Sequence, residues 1–148
     1  MVRKELYFGV EMPDVYIVDD DQEMSRAVRL LFKLLRYEAQ TFSRARDLAH
    51  HLLAAPALPD LLVLDMNMPD VNGMDVVKWI RGSKRFKEIP MIVLSSETYP
   101  DLVNEALTAG ANAYLFKPVT LEELEATLKK VFPENPKSQI PKPQSLTT

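Results

Sequence analysis

Between residues 14 and 132, short apolar runs alternate with longer segments in which apolar residues return every three or four positions. The runs fit strands and the longer segments fit amphipathic helices, so the chain reads as five successive strand-then-helix units wound about a parallel sheet. The predicted strands span residues 15–18, 38–42, 61–64, 91–94 and 113–116. The first, third and fourth are nearly continuous in Val, Ile, Leu or Met, as strands buried on both faces are, and are expected at the centre of the sheet.

The first helix is expected over residues 22–36, with Met24, Ala27, Val28, Leu31, Leu34 and Leu35 on one inward stripe. Leu30 and Phe32 fall at the edges of that stripe, in contact with neighbouring helices or as part of a docking surface. A second helix over 43–54 opens on Ser43 as its cap and buries Leu48, Leu52 and Leu53, before Pro56 and Pro59 prevent its continuation. The third starts near Asn72. The fourth, 100–109, has Pro100 in its first turn and Gly110 just past its end. The fifth, 121–132, turns Leu121, Leu124, Leu128 and Val131 inward and is stopped by Pro133.

Right-handed crossovers then place helices on both faces of a five-stranded sheet. The expected fold is α/β, flavodoxin-like and doubly wound, with the strands in order 2-1-3-4-5. Residues 1–12 show no clear period and read as an N-terminal extension, and 13–132 as the domain. Residues 133–148, with Pro136, Pro141 and Pro143 among Lys, Ser, Gln and Thr, read as a disordered Pro-rich tail.

Composition narrows the chemistry. At 148 residues and 47% hydrophobic content, one well-filled core is available and a second domain of ordinary size is not. The absence of cysteine removes disulfides, thiolate metal sites and cysteine nucleophiles. A net charge of -3 and a pI near 5.4 argue against direct DNA binding by phosphate neutralisation. No apolar run is long enough for a membrane span and no secretory signal is present, so the cytoplasm is the expected location.

Acidic residues mark the strand ends: Asp19 and Asp20 follow the first strand and Asp65 follows the third. In an open parallel sheet, ligands bind beyond the carboxyl ends of the strands where the strand order reverses, which here brings the three carboxylates into one crevice. Such a cluster repels itself unless a cation is present, and a hard divalent ion with oxygen ligands, best Mg²⁺ with Mn²⁺ as a substitute, resolves the repulsion. Ser95 ends the fourth strand and Lys117 follows the fifth, at the same edge. A hydroxyl and an ammonium facing a metal-bound carboxylate supply what a transferring phosphoryl group needs. Asp21 reads as a helix cap, His50 and His51 as surface residues, and Trp79 as packing.

Four stretches, VYIVDDD (15–21), LLVLDMNMPDVNGMD (61–75), PMIVLSSE (90–97) and AGANAYLFKPVT (109–120), occur in order and at fitting intervals. Together they resemble the receiver domain of response regulators over about four fifths of the chain, most like the single-domain chemotaxis-type regulators. The resemblance implies Asp65 as phosphoacceptor, with Asp19, Asp20, Asp65 and the backbone carbonyl of Asn67 holding the metal. Ser95 and Lys117 would bind phosphoryl oxygens, and Ser95 stands where many receivers have Thr. Ser95 and Tyr114 would form the switch that remodels the face of the fourth helix, fifth strand and fifth helix.

Asn67 and Glu97 would tune dephosphorylation. Pro69, Gly73 and Pro118 would be structural, with Gly73 tolerating a positive φ and the Lys117–Pro118 peptide cis. The implied phosphodonor is a histidine kinase or histidine phosphotransfer protein, and the implied output is a downstream protein target, with a phosphorylation-dependent homodimer through the switching face. The chain would then be no enzyme beyond catalysing its own phosphorylation and dephosphorylation. Two rivals are a haloacid-dehalogenase-like phosphatase, for which Asp19 and Asp21 meet the Asp-x-Asp spacing while Gln22 and Glu23 do not continue the motif, and a receiver-like binding module without phosphorylation.

Overall fold

The computed structural model describes residues 6–7 and 10–133, so the predicted tail from 134 onward lies outside the described residues. In the stretch read as an extension, β1 (Leu6–Tyr7) pairs antiparallel with β2 (Val10–Glu11) in a two-stranded hairpin that the pattern analysis does not anticipate, because two-residue strands are too short to show a period.

The remaining strands are β3 (Asp14–Val18), β4 (Glu38–Phe42), β5 (Leu61–Asp65), β6 (Met91–Ser95) and β7 (Ala113–Phe116). They form one parallel sheet in the order β4-β3-β5-β6-β7, which is the predicted 2-1-3-4-5 when strands are counted from β3. Every residue of β5 and β6 is buried, as expected of strands covered on both faces.

The helices are α1 (Gln22–Leu34), α2 (Ala45–Ala54), α3 (Gly73–Gly82), α4 (Pro100–Ala109) and α5 (Leu121–Val131). Two separate apolar layers show how they divide. Val15, Ile17, Leu61, Val63, Ile92 and Leu94 pack with Val28 and Phe32 of α1 and with Leu124 and Leu128 of α5. Their sequence neighbours Val18, Leu62, Leu64, Met91 and Val93 point to the opposite face, against residues of α2, α3 and α4. Successive strand residues alternate faces, so a single apolar run fills both layers.

Three expectations about the helices are corrected. First, α1 ends at Leu34 rather than at Arg36, because Arg36 takes φ 67, outside the helical region. Its buried face is also rotated from the predicted stripe: Ser25, Val28, Phe32 and Leu35 are buried, whereas Ala27 is exposed and Leu34 is 51% exposed. Phe32 is thus core, and Leu30, at 57%, lies on the solvent side. Second, Ser43 does not cap α2; Arg44 occupies that place without a side-chain bond. Third, Leu53 is exposed while Leu48 and Leu52 are buried.

At the amino ends of β6 and β7 a single side chain gathers the connections. The Arg81 guanidinium donates to the carbonyls of Gly110, Lys87 and Ile89 and to Asn112 Oδ1, at 2.7 to 3.0 Å. Asn112 Oδ1 also accepts from the amide of Met91, the first residue of β6. Gly110, with φ 125, ends α4, and a Cβ there would lie 2.6 Å from Arg81 Cγ. No helix among the described residues is long and apolar enough to cross a membrane.

Candidate functional site

Register alone brings the chemistry to one edge. Val18 lies beside Leu64, so Asp19 follows β3 where Asp65 ends β5; Asp65 lies beside Leu94, so Ser95 is one step further; Ser95 lies beside Phe116, the residue before Lys117. The Lys117 backbone N–H donates to the Ser95 carbonyl at 2.9 Å, extending that alignment past the last strand.

Asp19 and Asp65 are almost fully buried and Asp20 is exposed, and each offers one carboxylate oxygen to a group lying within 4.8 Å of one another. Lys117 Nζ donates to Asp19 Oδ2 at 3.1 Å and to Asp65 Oδ1 at 3.0 Å, forming a bridge between neighbouring strand ends. Asp19 Oδ1 accepts the Asp21 amide at 2.9 Å, and Asp65 Oδ1 accepts the Asn67 amide at 3.2 Å. Buried Ser25 on α1 donates through Oγ to the Asp19 carbonyl at 3.3 Å. Ser25 is a site-supporting residue that pattern reading passed over; its only signal is a hydroxyl on the buried face of the first helix.

Asp21 does what the sequence suggests, capping α1 by accepting the amides of Glu23 and Met24 at 3.0 and 3.2 Å. That engagement turns its carboxylate to the helix and weakens the dehalogenase-like reading, which needs Asp21 beside Asp19 in the crevice. His51 is half-buried, with Nε2 3.2 Å from the Tyr16 hydroxyl and its ring against Tyr16 and Phe42, and is more than a surface residue. Trp79, 40% exposed, packs its ring on Phe86.

Ser95 is buried, and its Oγ accepts the Glu97 amide at 3.0 Å. The Tyr114 hydroxyl donates to the Glu97 carbonyl at 3.0 Å, and its ring meets Phe116 edge-on. The two predicted switch residues therefore converge on the backbone of Glu97. The Lys117–Pro118 peptide is cis, and Pro69 lies exposed in the turn after Asp65.

Gly73 is required for a different reason from the one expected. It does not take a positive φ; a Cβ there would sit 2.7 Å from Met66 Cα and 2.8 Å from the Asp65 carbonyl oxygen. The start of α3 lies directly on the backbone of the site, with the Gly73 amide donating to the Met66 carbonyl and Asn72 capping through the Met74 amide. Only a residue without Cβ allows that approach.

Burial pushes the Asp65 carboxyl up to about 6, and the Asp19 carboxylate adds to the rise, against the lowering by hydrogen bonds from Lys117 and the Asn67 amide. Burial also works against the Lys117 charge, but the hydrogen bonds to Asp65 and Asp19 outweigh it and hold the ammonium above the usual lysine range. A carboxyl harder to ionise in the folded protein contributes stability that is fully present below its unfolded value near 4 and is lost as pH rises through about 6. In metal-free buffer the native chain should therefore lose thermal stability relative to Asp65→Asn across that window. A gap between the two unfolding midpoints that stays constant with pH would contradict this.

The donor set suits a hard divalent cation: carboxylate oxygens only, two of the three carboxylates buried, and a single ammonium to offset them.

Comparison with known proteins agrees with this geometry. Residues 15–129 match the family described as the response regulator receiver domain. Chemotaxis protein CheY1 of Helicobacter pylori is 38% identical over 119 residues, covering 80% of this chain and 96% of that protein. Chemotaxis protein CheY of Pseudomonas aeruginosa is 32% identical over 122 residues, covering 80% and 94%. The structure of Vibrio cholerae chemotaxis protein CheY4 superimposes with a TM-score of 0.73 at 31% identity, covering 81% of this chain and 98% of that one.

Proposed function

Because the chain belongs to the response regulator receiver family, we propose that it accepts a phosphoryl group from a phosphohistidine, on a histidine kinase or histidine phosphotransfer protein, onto Asp65. The observation that carries this reading is the Lys117 ammonium bridging Asp19 and Asp65, which sets a fixed positive charge against the one carboxylate that ends a central strand.

In the reaction, a carboxylate oxygen of Asp65 attacks phosphorus in line with the imidazole, the P–N bond breaks, and the imidazole nitrogen keeps the electron pair and takes a proton. Lys117 moves its hydrogen bond from the carboxylate to a phosphoryl oxygen as charge develops there. Ser95 exchanges the Glu97 amide for a second phosphoryl oxygen, to which its hydroxyl donates. When bound by Asp19, Asp20, Asp65 and the Asn67 carbonyl, Mg²⁺ supplies the remaining positive charge to the phosphoryl group. The movement of Ser95 loosens its hold on Glu97, whose carbonyl anchors the Tyr114 hydroxyl, and so couples the site to the face of α4, β7 and α5. Phe116, 41% exposed on β7, gives that face an apolar element for a downstream protein or a second phosphorylated copy. Asn67, exposed two residues past the acceptor, and Glu97, partly exposed two past Ser95, act in this reading on the water that attacks the phosphoaspartate.

Intact-mass analysis after incubation with a small acyl phosphate tests the reading. The native chain should gain one phosphoryl group with Mg²⁺ present and little or none when the ion is chelated. The adduct's decay after donor removal, compared between the native chain and a variant with Asn67 and Glu97 exchanged, reads the tuning role. Uptake that is indifferent to the ion would refute the metal assignment, and an equal decay rate would refute the tuning one.

A further inference from the structure

A groove of about 290 Å³ opens between the first two turns of α1 and the end of β4, with Asp19 in one wall. Gln22, Arg26 and Arg29 contribute from α1, and Thr41, Phe42 and Ser43 from the strand end and the residue after it. Arg26 and Arg29 are three apart on the helix, so both guanidiniums rise from one face. Both are exposed, and among the described residues neither has an ion-pair or hydrogen-bond partner. Asp19, the one carboxylate lining the groove, is paired with Lys117 through Oδ2 and accepts the Asp21 amide through Oδ1, so its charge is partly offset. The protein as a whole is acidic, at net charge -3, so two unpaired arginines sharing one concave wall are a local inversion of sign.

The chemistry of the wall selects a ligand class. Guanidinium forks match the oxygens of phosphate in pairs, and two full positive charges call for a dianion, which a phosphate monoester approaches at neutral pH. The hydroxyls of Thr41 and Ser43 add donors, while the Phe42 ring turns to the opposite face of the sheet, against Tyr16 and His51. The groove's volume lies near the lower end of small-molecule sites, about 300–1,000 Å³, which suits a compact ligand rather than a folded partner.

The geometry points to a binding site for the phosphate group of a small phosphate monoester, held on Arg26 and Arg29 with the Thr41 and Ser43 hydroxyls beside them and separate from the phosphoacceptor Asp65. The site does not depend on phosphoryl transfer, so its existence and the proposed function can fail independently.

Titration of the full chain in Mg²⁺-free buffer with inorganic phosphate and with phenyl phosphate, followed on the arginine side-chain NMR resonances, tests it. Saturable shifts of Arg26 and Arg29 are expected with both probes, equal in the native chain and in Asp65→Asn. Arg26→Gln and Arg29→Gln, at exposed positions, should each weaken binding roughly tenfold. The site is overturned if the shifts do not saturate, if they centre on Lys117 and vanish in Asp65→Asn, or if both arginine variants bind as the native chain does.

Discussion

Asp65→Asn is expected to abolish phosphoryl uptake while leaving the fold intact. The substitution keeps side-chain volume and an oxygen able to accept from Lys117 and from the Asn67 amide, the two contacts that hold the carboxylate now. What it removes is the negative charge that makes an oxygen a nucleophile toward phosphorus. It also removes an ionised group held in a buried place, so the variant should be at least as stable as the native chain at neutral pH. The measurement is intact mass after incubation with an acyl phosphate and Mg²⁺, alongside far-UV circular dichroism. A native-like spectrum with no mass gain is the expected pair of results. A mass gain equal to that of the native chain would move the acceptor elsewhere in the cluster.

The second large effect is on stability. Phe32 is fully buried between α1 and the sheet, edge-on to the ring of Tyr37 at a centroid distance of 5.2 Å. Phe32→Ala should cost about 3–5 kcal/mol, the range for deleting a buried aromatic. Leu34→Ala, at a position 51% exposed, should cost no more than about 0.5 kcal/mol beyond helix propensity. Urea unfolding of the two variants reads the difference. Comparable costs would restore the predicted inward stripe that includes Leu34.

That contrast shows where pattern reading stops. The segment from Met24 to Leu35 carries Met24, Ala27, Val28, Leu30, Leu31, Phe32, Leu34 and Leu35, enough apolar residues to draw a stripe along more than one line. Two residues are about 200° apart on a helix, so choosing Leu34 as core forces Phe32 outward, and the sheet chose Phe32. The strands had no such ambiguity: β5 and β6 are unbroken apolar runs ended by chemistry-bearing residues, although their order was only the natural candidate among right-handed doubly wound sheets until the structure gave it. The site was legible for the same reason. Once register is fixed, Asp19, Asp65, Ser95 and Lys117 must share an edge.

Contacts across space were not legible. Gly73 was singled out by its motif but for its backbone freedom, whereas its role is to let α3 lie against Met66 and the Asp65 carbonyl. Ser25 under Asp19, and the Lys117 bridge itself, depend on angles and distances that no spacing encodes.

The Arg81 cluster gives the molecule a fixed end. One guanidinium ties the last turn of α3 to the entries of β6 and β7 and to the close of α4, all at the pole opposite the carboxylates. In the proposed switch, a displacement begun at Ser95 would leave the amino ends of β6 and β7 tied at Gly110 and Asn112, so the movement would fall on the end of β7 that meets Glu97.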